Sequence, residues 1–133
     1  MIDGSKIAFN AKLRMSIQVD EQPESVLLEL SDSLEASEQE LQPQYKDRIA
    51  KFINASGTWY RTAIEKLRSE EGDPGKVRLL QIFVLSEQDE NKLTFGLEFR
   101  VEVDVEHGRG LKVDGETLEV VDYGSGDVAF SLD

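Results

Sequence analysis

Cysteine is absent from the 133-residue sequence, and histidine occurs once, at position 107. Without cysteine the chain has no disulfide, no thiolate zinc ligand and no thiol nucleophile. A single histidine also leaves few ways to pair a nucleophile with a base. The sequence therefore predicts a protein that is not an enzyme, with no catalytic residue, no cofactor and no metal site.

Long apolar runs and basic residues are also scarce. No run reaches the roughly 20 residues of a membrane span, and the first residues, MIDGSKIAF, lack the features of an export signal. We therefore expect a cytoplasmic protein that does not contact a membrane. Fifteen Lys and Arg stand against 27 Asp and Glu, for a net charge of −12. That charge disfavours binding to nucleic acid, and it fits either solubility or attraction of a basic partner.

The most regular pattern in the chain covers residues 93–105, where apolar side chains occupy every second position. This alternation predicts one long strand at the centre of a sheet, with one buried and one charged face. The residues expected to be buried are Phe95, Leu97, Phe99, Val101 and Val103. The strand leads into EHGRG, where we expect His107 to have a structural role and Gly108 to adopt a positive φ angle.

Strand patterns also precede two helical segments. Residues 6–20 alternate as one long strand, or as two short ones bent near Asn10, and residues 25–30 form a second strand that pairs back on them. A first helix begins at Pro43 and ends within residues 54–57, because proline suits the first helical turn. A second helix is capped by Thr58 and ends at Gly72.

Further strand patterns follow the helices. Residues 77–85 are almost continuously apolar, which predicts a central strand covered on both faces and paired with the long strand as an antiparallel hairpin. Asp114-Gly115 predicts a two-residue turn that places Val113 opposite Glu116. Val128, Phe130 and Leu132 suggest a short last strand. The fold class is α+β in a single domain, residues 1–133: a mostly antiparallel sheet of about six to seven strands with two helices on one face, in the order ββ-αα-βββββ.

Acidic residues concentrate in two places. Residues 31–42 read as a polar loop with a short helical turn, and this loop contains Glu35, Glu38 and Glu40. The end of the long strand contains Glu102, Asp104 and Glu106, which would project to the same side of a strand beside His107. Carboxylates with one histidine can bind a metal ion, but neighbouring acids of one parity are also typical of a solvated strand face, which we prefer. Either triple is a candidate contact surface for a partner, and the sequence does not choose between them.

The last third of the chain resembles small bacterial domains of unknown function that carry an acid, Glu-His-Gly and spaced glycines before a hairpin. The matching positions are Asp104, Glu106, His107, Gly108, Gly110, Gly115, Gly124 and Asp127. Related small acidic domains occur as immunity proteins, which neutralise a toxin made by the same or a neighbouring cell. The resemblance implies an immunity protein that binds a cognate, basic toxin domain, such as a nuclease. The alternative is a non-catalytic binding or scaffold domain, monomeric or homodimeric through an edge strand.

Overall fold

Six strands form one sheet whose spatial order follows the chain, as the computed structural model shows for residues 1–132. Strands β2 and β3 are parallel, because the two helices connect them, and every other neighbouring pair is antiparallel. The α+β class with a mostly antiparallel sheet is thereby confirmed. The strands are β1 (Arg14–Ile17), β2 (Val26–Leu30), β3 (Val77–Val84), β4 (Thr94–Val101), β5 (Arg109–Asp114) and β6 (Val120–Gly124), and the helices are α1 (Pro43–Asn54) and α2 (Ser56–Glu71).

The main core lies between the helices and one face of the sheet. The rings of Phe52 in α1 and Phe95 in β4 stack with centroids 3.8 Å apart, and Trp59 in α2 stacks on the other side of Phe52 at 4.9 Å. The indole nitrogen of Trp59 donates to the carbonyl of Phe52 at 2.7 Å, so its one polar atom is satisfied inside the core. Tyr60 contacts Phe99 edge-on at 5.8 Å. Both helices are therefore fixed to β4 by aromatic contacts.

The opposite face of the sheet is covered in part by residues 126–130, here called the C-terminal strap. A Cβ on Gly96 would lie 1.6 Å from the carbonyl oxygen of Ala129, so the strap crosses β4 at backbone contact distance. The ring of Phe130 lies 5.6 Å from that of Phe83 in β3. The expectation that β3 is covered on both faces is met only in part. The strap covers β3 at Phe83, whereas Arg78 is exposed and Gln81 is partly buried.

The strap replaces the short last strand that the sequence predicted. Residues Gly126–Ala129 form a 3₁₀ turn, in which the amide of Val128 donates to the carbonyl of Ser125 at 3.0 Å. The amide of Phe130 donates to the carbonyl of Asp127 at 3.3 Å. Three alternating apolar residues are too few to separate a strand from such a turn by periodicity, and local bonds satisfy the backbone here.

The long strand ends earlier than its alternation predicted. β4 stops at Val101, and Glu102–Asp104 form a 3₁₀ turn, so Val103 and Val105 are 54% and 52% exposed. The expected burial of Val103 is wrong. The partner strand explains the difference: β3 begins at Val77, which pairs with Val101, and the ladder has no further residue on that side. The amide of Glu102 instead donates to the carbonyl of Lys76 at 3.0 Å.

The first strand is also shorter than expected. Of residues 6–20 only Arg14–Ile17 form a strand, paired with β2 as predicted. The side-chain oxygen of Asn10 accepts from the amides of Lys12 at 2.9 Å and Arg14 at 3.1 Å. This local turn competes with extension of the strand. It is closed by Leu13, which has a φ angle of 64°.

Two predicted turns differ in detail. Asp114-Gly115 does not form a two-residue turn, because Val113 pairs with Val120 and residues 115–119 make a longer loop. The carboxylate of Asp114 accepts from the amides of Glu116 at 2.8 Å and Thr117 at 3.1 Å, which favours the longer turn.

The break between the helices also differs from the prediction. α2 begins at Ser56, before Thr58, and its cap residue is Ala55. At the other end, Gly72 terminates α2 with a φ angle of 75°, as predicted.

Candidate partner-binding surface

The two acidic triples lie at opposite ends of the sheet. Because β2 and β3 are parallel, the loops that follow them, residues 31–42 and 85–93, lie at the same end of the sheet. β4 is antiparallel to β3, so the turn at residues 102–108 lies at the opposite end of the sheet. The two triples therefore cannot belong to one surface, and their surroundings decide between them.

The acidic loop, residues 31–42, is held in place by the neighbouring loop. Two of its own side chains, Leu34 and Ala36, are buried in the core. The carboxylate of Glu87 accepts from the amide of Glu35 at 2.9 Å and from that of Ala36 at 3.0 Å, at the start of the 3₁₀ turn Glu35–Glu38. An acidic side chain is favoured at such amides, which have no partner within the turn. Glu87 thus fixes the part of the loop that contains Glu35 and Glu38.

A second contact fixes the remainder of the acidic loop. The side-chain oxygen of Gln88 accepts from the amide of Gln42 at 2.8 Å, and its side-chain nitrogen donates to the carbonyl of Glu40 at 3.2 Å. Sequence reasoning missed both Glu87 and Gln88 in this role, because each acts about 50 residues away along the chain. No spacing rule connects positions so far apart.

The loop that supplies these contacts is itself anchored on α1. The hydroxyl of Tyr45 donates to the carbonyl of Ser86 at 2.6 Å, and burial raises the pKa of that hydroxyl. The guanidinium of Arg48 donates to the carbonyls of Glu90 at 3.0 Å and Asn91 at 2.7 Å. Both loops are therefore preorganised on the end of the sheet.

The acidic side chains of these two neighbouring loops are here together called the acidic face. Glu35, Glu38 and Glu40 are exposed. None of the ion pairs within residues 1–132 includes a carboxylate of this face. The acidic face consists of Asp32, Glu35, Glu38, Glu40, Glu87, Asp89 and Glu90. Its negative charge is concentrated on a rigid surface and is not cancelled by ion pairs.

The second triple is Glu102, Asp104 and Glu106, of which two acids are exposed and one is bound within the fold. Glu102 and Glu106 are exposed, but the carboxylate of Asp104 accepts from Arg109 at 2.8 Å and contacts His107 Nδ1 at 3.0 Å. The hydrogen bond from Arg109, followed by those from His107, lowers the pKa of Asp104 to about 2. The three acids do not share one side of a strand, because residues 102–104 are a 3₁₀ turn. Asp104 is therefore committed to the fold.

Arg109 is the centre of this structural cluster. Its guanidinium binds both carboxylate oxygens of Glu71 at 3.0 Å, which joins the end of α2 to β5. Tyr123 in β6 donates its hydroxyl to the same carboxylate. The hydrogen bonds from Arg109 and Tyr123 lower the pKa of Glu71. Five side chains from separate segments thus close this end of the sheet, and a bidentate arginine makes the closure directional.

The EHGRG segment supports this closure. His107 is exposed over 64% of its side chain, and its Nδ1 contacts Asp104 at 3.0 Å in the 3₁₀ turn after β4. The expected hydrogen bond is present, and the structural role stays a prediction. Gly108 has a φ angle of 64°, which confirms the expectation, and a Cβ there would lie 2.6 Å from the carbonyl oxygen of Phe99. The carbonyl of His107 also accepts from the amide of Gly126 at 3.1 Å, which attaches the C-terminal strap.

The open face of the sheet contains one further acid in an unusual setting. Glu98 is half-buried on β4, in a groove of about 340 Å³ between the strap and β2. Burial, and then the charge of Glu29, raises the pKa of Glu98. Its cross-strand neighbour Gln81 has a buried side-chain nitrogen without a hydrogen-bond partner among residues 1–132.

Comparison with known proteins found no matching family model, no matching curated protein and no matching solved structure. Neither helix in the described chain is long and apolar enough to cross a membrane. Within residues 1–132, no group of three or more His, Asp or Glu side chains is placed to hold a metal ion.

Proposed function

We propose that the protein is an immunity protein, which binds the catalytic domain of a basic bacterial toxin through the acidic face and so blocks it. The observation that carries the proposal is the order of that face: seven carboxylates sit on two loops that are fixed by Glu87, Gln88 and Arg48. The resemblance of the C-terminal third to domains that occur as immunity proteins supports the same function.

Placing like charges close together costs free energy. Seven carboxylates on two neighbouring loops repel each other, and none of them belongs to an ion pair within residues 1–132. A basic partner relieves it on binding, and the field of the face raises the association rate. Because the loops are already ordered, binding does not have to immobilise them, and more of the interaction energy contributes to affinity.

The acidic face is favoured over the other end of the sheet for a specific reason. At that end Asp104 is held within the protein by Arg109, which it shares with Glu71. Of that triple only Glu102 and Glu106 are exposed. Glu35, Glu38 and Glu40 are all exposed and form no ion pair with residues 1–132. A partner with a positively charged surface should therefore bind the acidic loop.

The test compares two charge-reversal variants with the same change in net charge. The first is Glu35→Lys, Glu38→Lys and Glu40→Lys. The matched control reverses Glu24, Glu102 and Glu106, which are exposed at the opposite end of the sheet. Asp104 is left unchanged in the control, because its reversal would break the Arg109 cluster.

The measurement is the rate of association with the purified product of each neighbouring gene that encodes a basic toxin-like domain, at salt concentrations from about 50 mM to about 500 mM. We expect the wild-type rate to fall steeply with salt, because exposed charges are screened beyond about 10 Å at 0.1 M. The first variant should associate at least about ten-fold more slowly, and the control should stay close to wild type.

Two results would count against the proposal. Equal rates for the two variants, with no dependence on salt, would mean that the acids serve solubility alone. Failure of the adjacent gene product to bind would remove the immunity function and leave the non-catalytic scaffold as the better hypothesis. In that case sedimentation of the protein alone would show whether it pairs with itself.

A further inference from the structure

A groove of about 370 Å³ lies beside the acidic face, between the acidic loop and residues 7–13, here called the N-terminal arm. Its floor includes the buried side chains of Leu30 and Ala36. Phe9, Leu13 and Leu41 line it and are only partly buried. The groove therefore exposes apolar surface next to a highly charged one, which is the usual arrangement at the centre of a protein interface.

The arm that forms one wall is fixed at both ends. At its start, the side chain of Ile7 is completely buried, and the chain before it is tied to α1 by Asn54, which accepts from the amide of Ile2 at 2.9 Å and donates to its carbonyl at 2.6 Å. At its end, the side chain of Asn10 accepts from the amide of Arg14, the first residue of β1. The groove is thus formed before any partner arrives.

Leu13 occupies this wall in a strained conformation. Its φ angle is 64°, in the left-handed region that residues with a Cβ rarely adopt. Its carbonyl accepts from the amide of Leu30 at 2.9 Å, so the strain is held by β2. The wall of the groove at Leu13 is therefore held in place by β2.

The rim of the groove determines the charge of what can enter. Gln39 and Glu40 line the side formed by the acidic loop, with Glu38 exposed next to them. Lys46 is the one cation among the lining residues. A segment whose own charges are positive is therefore attracted to the rim, whereas an acidic segment is repelled by it.

We propose that this groove receives one large apolar side chain of the basic partner, flanked on the partner by lysine or arginine that contacts Glu38 and Glu40. This inference rests on the proposed function and assigns different tasks to the two surfaces. Exposed ion pairs add little to affinity, whereas an apolar anchor in a desolvated pocket carries much of it. The acidic face governs association, and the groove governs dissociation.

The probe is a pair of capped peptides, acetyl-Lys-Lys-Trp-Lys-Lys-amide and the same peptide with alanine in place of tryptophan. Each is titrated into the ¹⁵N-labelled full chain, and amide shifts give both the affinity and the location. The tryptophan peptide should bind about ten-fold tighter, which corresponds to burial of one large side chain. Its additional shifts should fall on the amides of Ala8, Ser37 and Lys46, which line the groove.

A matched pair of variants tests the location. Ala8→Trp places a large side chain in the groove, whereas Ala11→Trp places it on the same arm outside the lining residues; both positions are exposed, so both variants should fold. We expect Ala8→Trp to remove the difference between the two peptides and Ala11→Trp to preserve it. The amide spectra of the two variants without peptide report whether each is folded.

The outcomes separate this inference from the proposed function. If both peptides bind equally, with shifts confined to the acidic loop, the groove is not an anchor site, while the acidic face keeps its role. The inference is also overturned if the tryptophan peptide binds tighter but shifts amides elsewhere, such as Gly115 and Glu116. If neither peptide binds, the acidic face does not attract basic segments, and the proposed function fails together with the inference.

Discussion

Phe99→Ala tests the role of β4 as the centre of the core. Phe99 is completely buried, pairs with Leu79 in β3 and Arg109 in β5, and contacts the ring of Tyr60 at 5.8 Å. Removing a ring in such a position removes its transfer free energy and leaves a cavity that strands on both sides prevent from closing. The expected loss in the free energy of unfolding is about 3–5 kcal/mol.

This loss can be expressed as a change in melting temperature. The entropy of unfolding is about 2.1 cal/mol/K per residue, so a chain of 133 residues loses about 0.28 kcal/mol for each degree. The variant should therefore melt roughly 11–18 °C below wild type. That loss is a large part of the roughly 5–15 kcal/mol by which a typical domain is stable.

The matched control is Val103→Ala, at a position of the same apolar alternation that β4 does not reach. Val103 is 54% exposed, so this variant should change the free energy of unfolding by less than about 0.5 kcal/mol. Urea unfolding followed by tryptophan fluorescence measures both variants, since Trp59 is buried in the same core. Equal losses at the two positions would refute the reasoning, because they would mean that β4 continues through residue 103.

Two further predictions concern charged groups. Arg109→Gln should lower the melting temperature at pH 7, because Glu71 and Asp104 lose the partner that depresses their pKa values. The difference from wild type should shrink as pH falls from 3.8 through the folded pKa of Asp104, about 2, where that carboxylate becomes protonated. A difference that persists unchanged at low pH would show that Arg109 acts through packing alone. Glu98→Gln should raise the melting temperature at pH 7. Burial and the charge of Glu29 raise the pKa of Glu98, so its ionised form destabilises the fold above that pKa. The effect of the substitution should therefore vanish at acidic pH. A lower melting temperature in this variant would indicate that the carboxylate has a favourable partner in the folded protein.

The local sequence determined the elements whose signals are contained within a few residues. Pro43 at the start of α1 and Gly72 at the end of α2 act through their own backbone geometry, and both ends lie where the sequence predicted. The positive φ angle of Gly108 was predictable for the same reason. The alternation through residues 94–101 depends only on the period of two that any strand shows.

The tertiary structure decided where each pattern stops and which charges meet. The alternation continues to Val105, but β4 ends at Val101 because its partner strand begins at Val77. Periodicity is a property of one segment, whereas hydrogen bonding in a sheet requires a second strand. The position of that second strand depends on contacts between residues distant in sequence.

The same reason separates the two groups of acids. The parallel pairing of β2 with β3 brings Glu87 under the acidic loop, and the closure around Arg109 removes Asp104 from the exposed charge. Composition alone fixes the net charge of −12, but the packing of segments dozens of residues apart determines which carboxylates are left to face a partner.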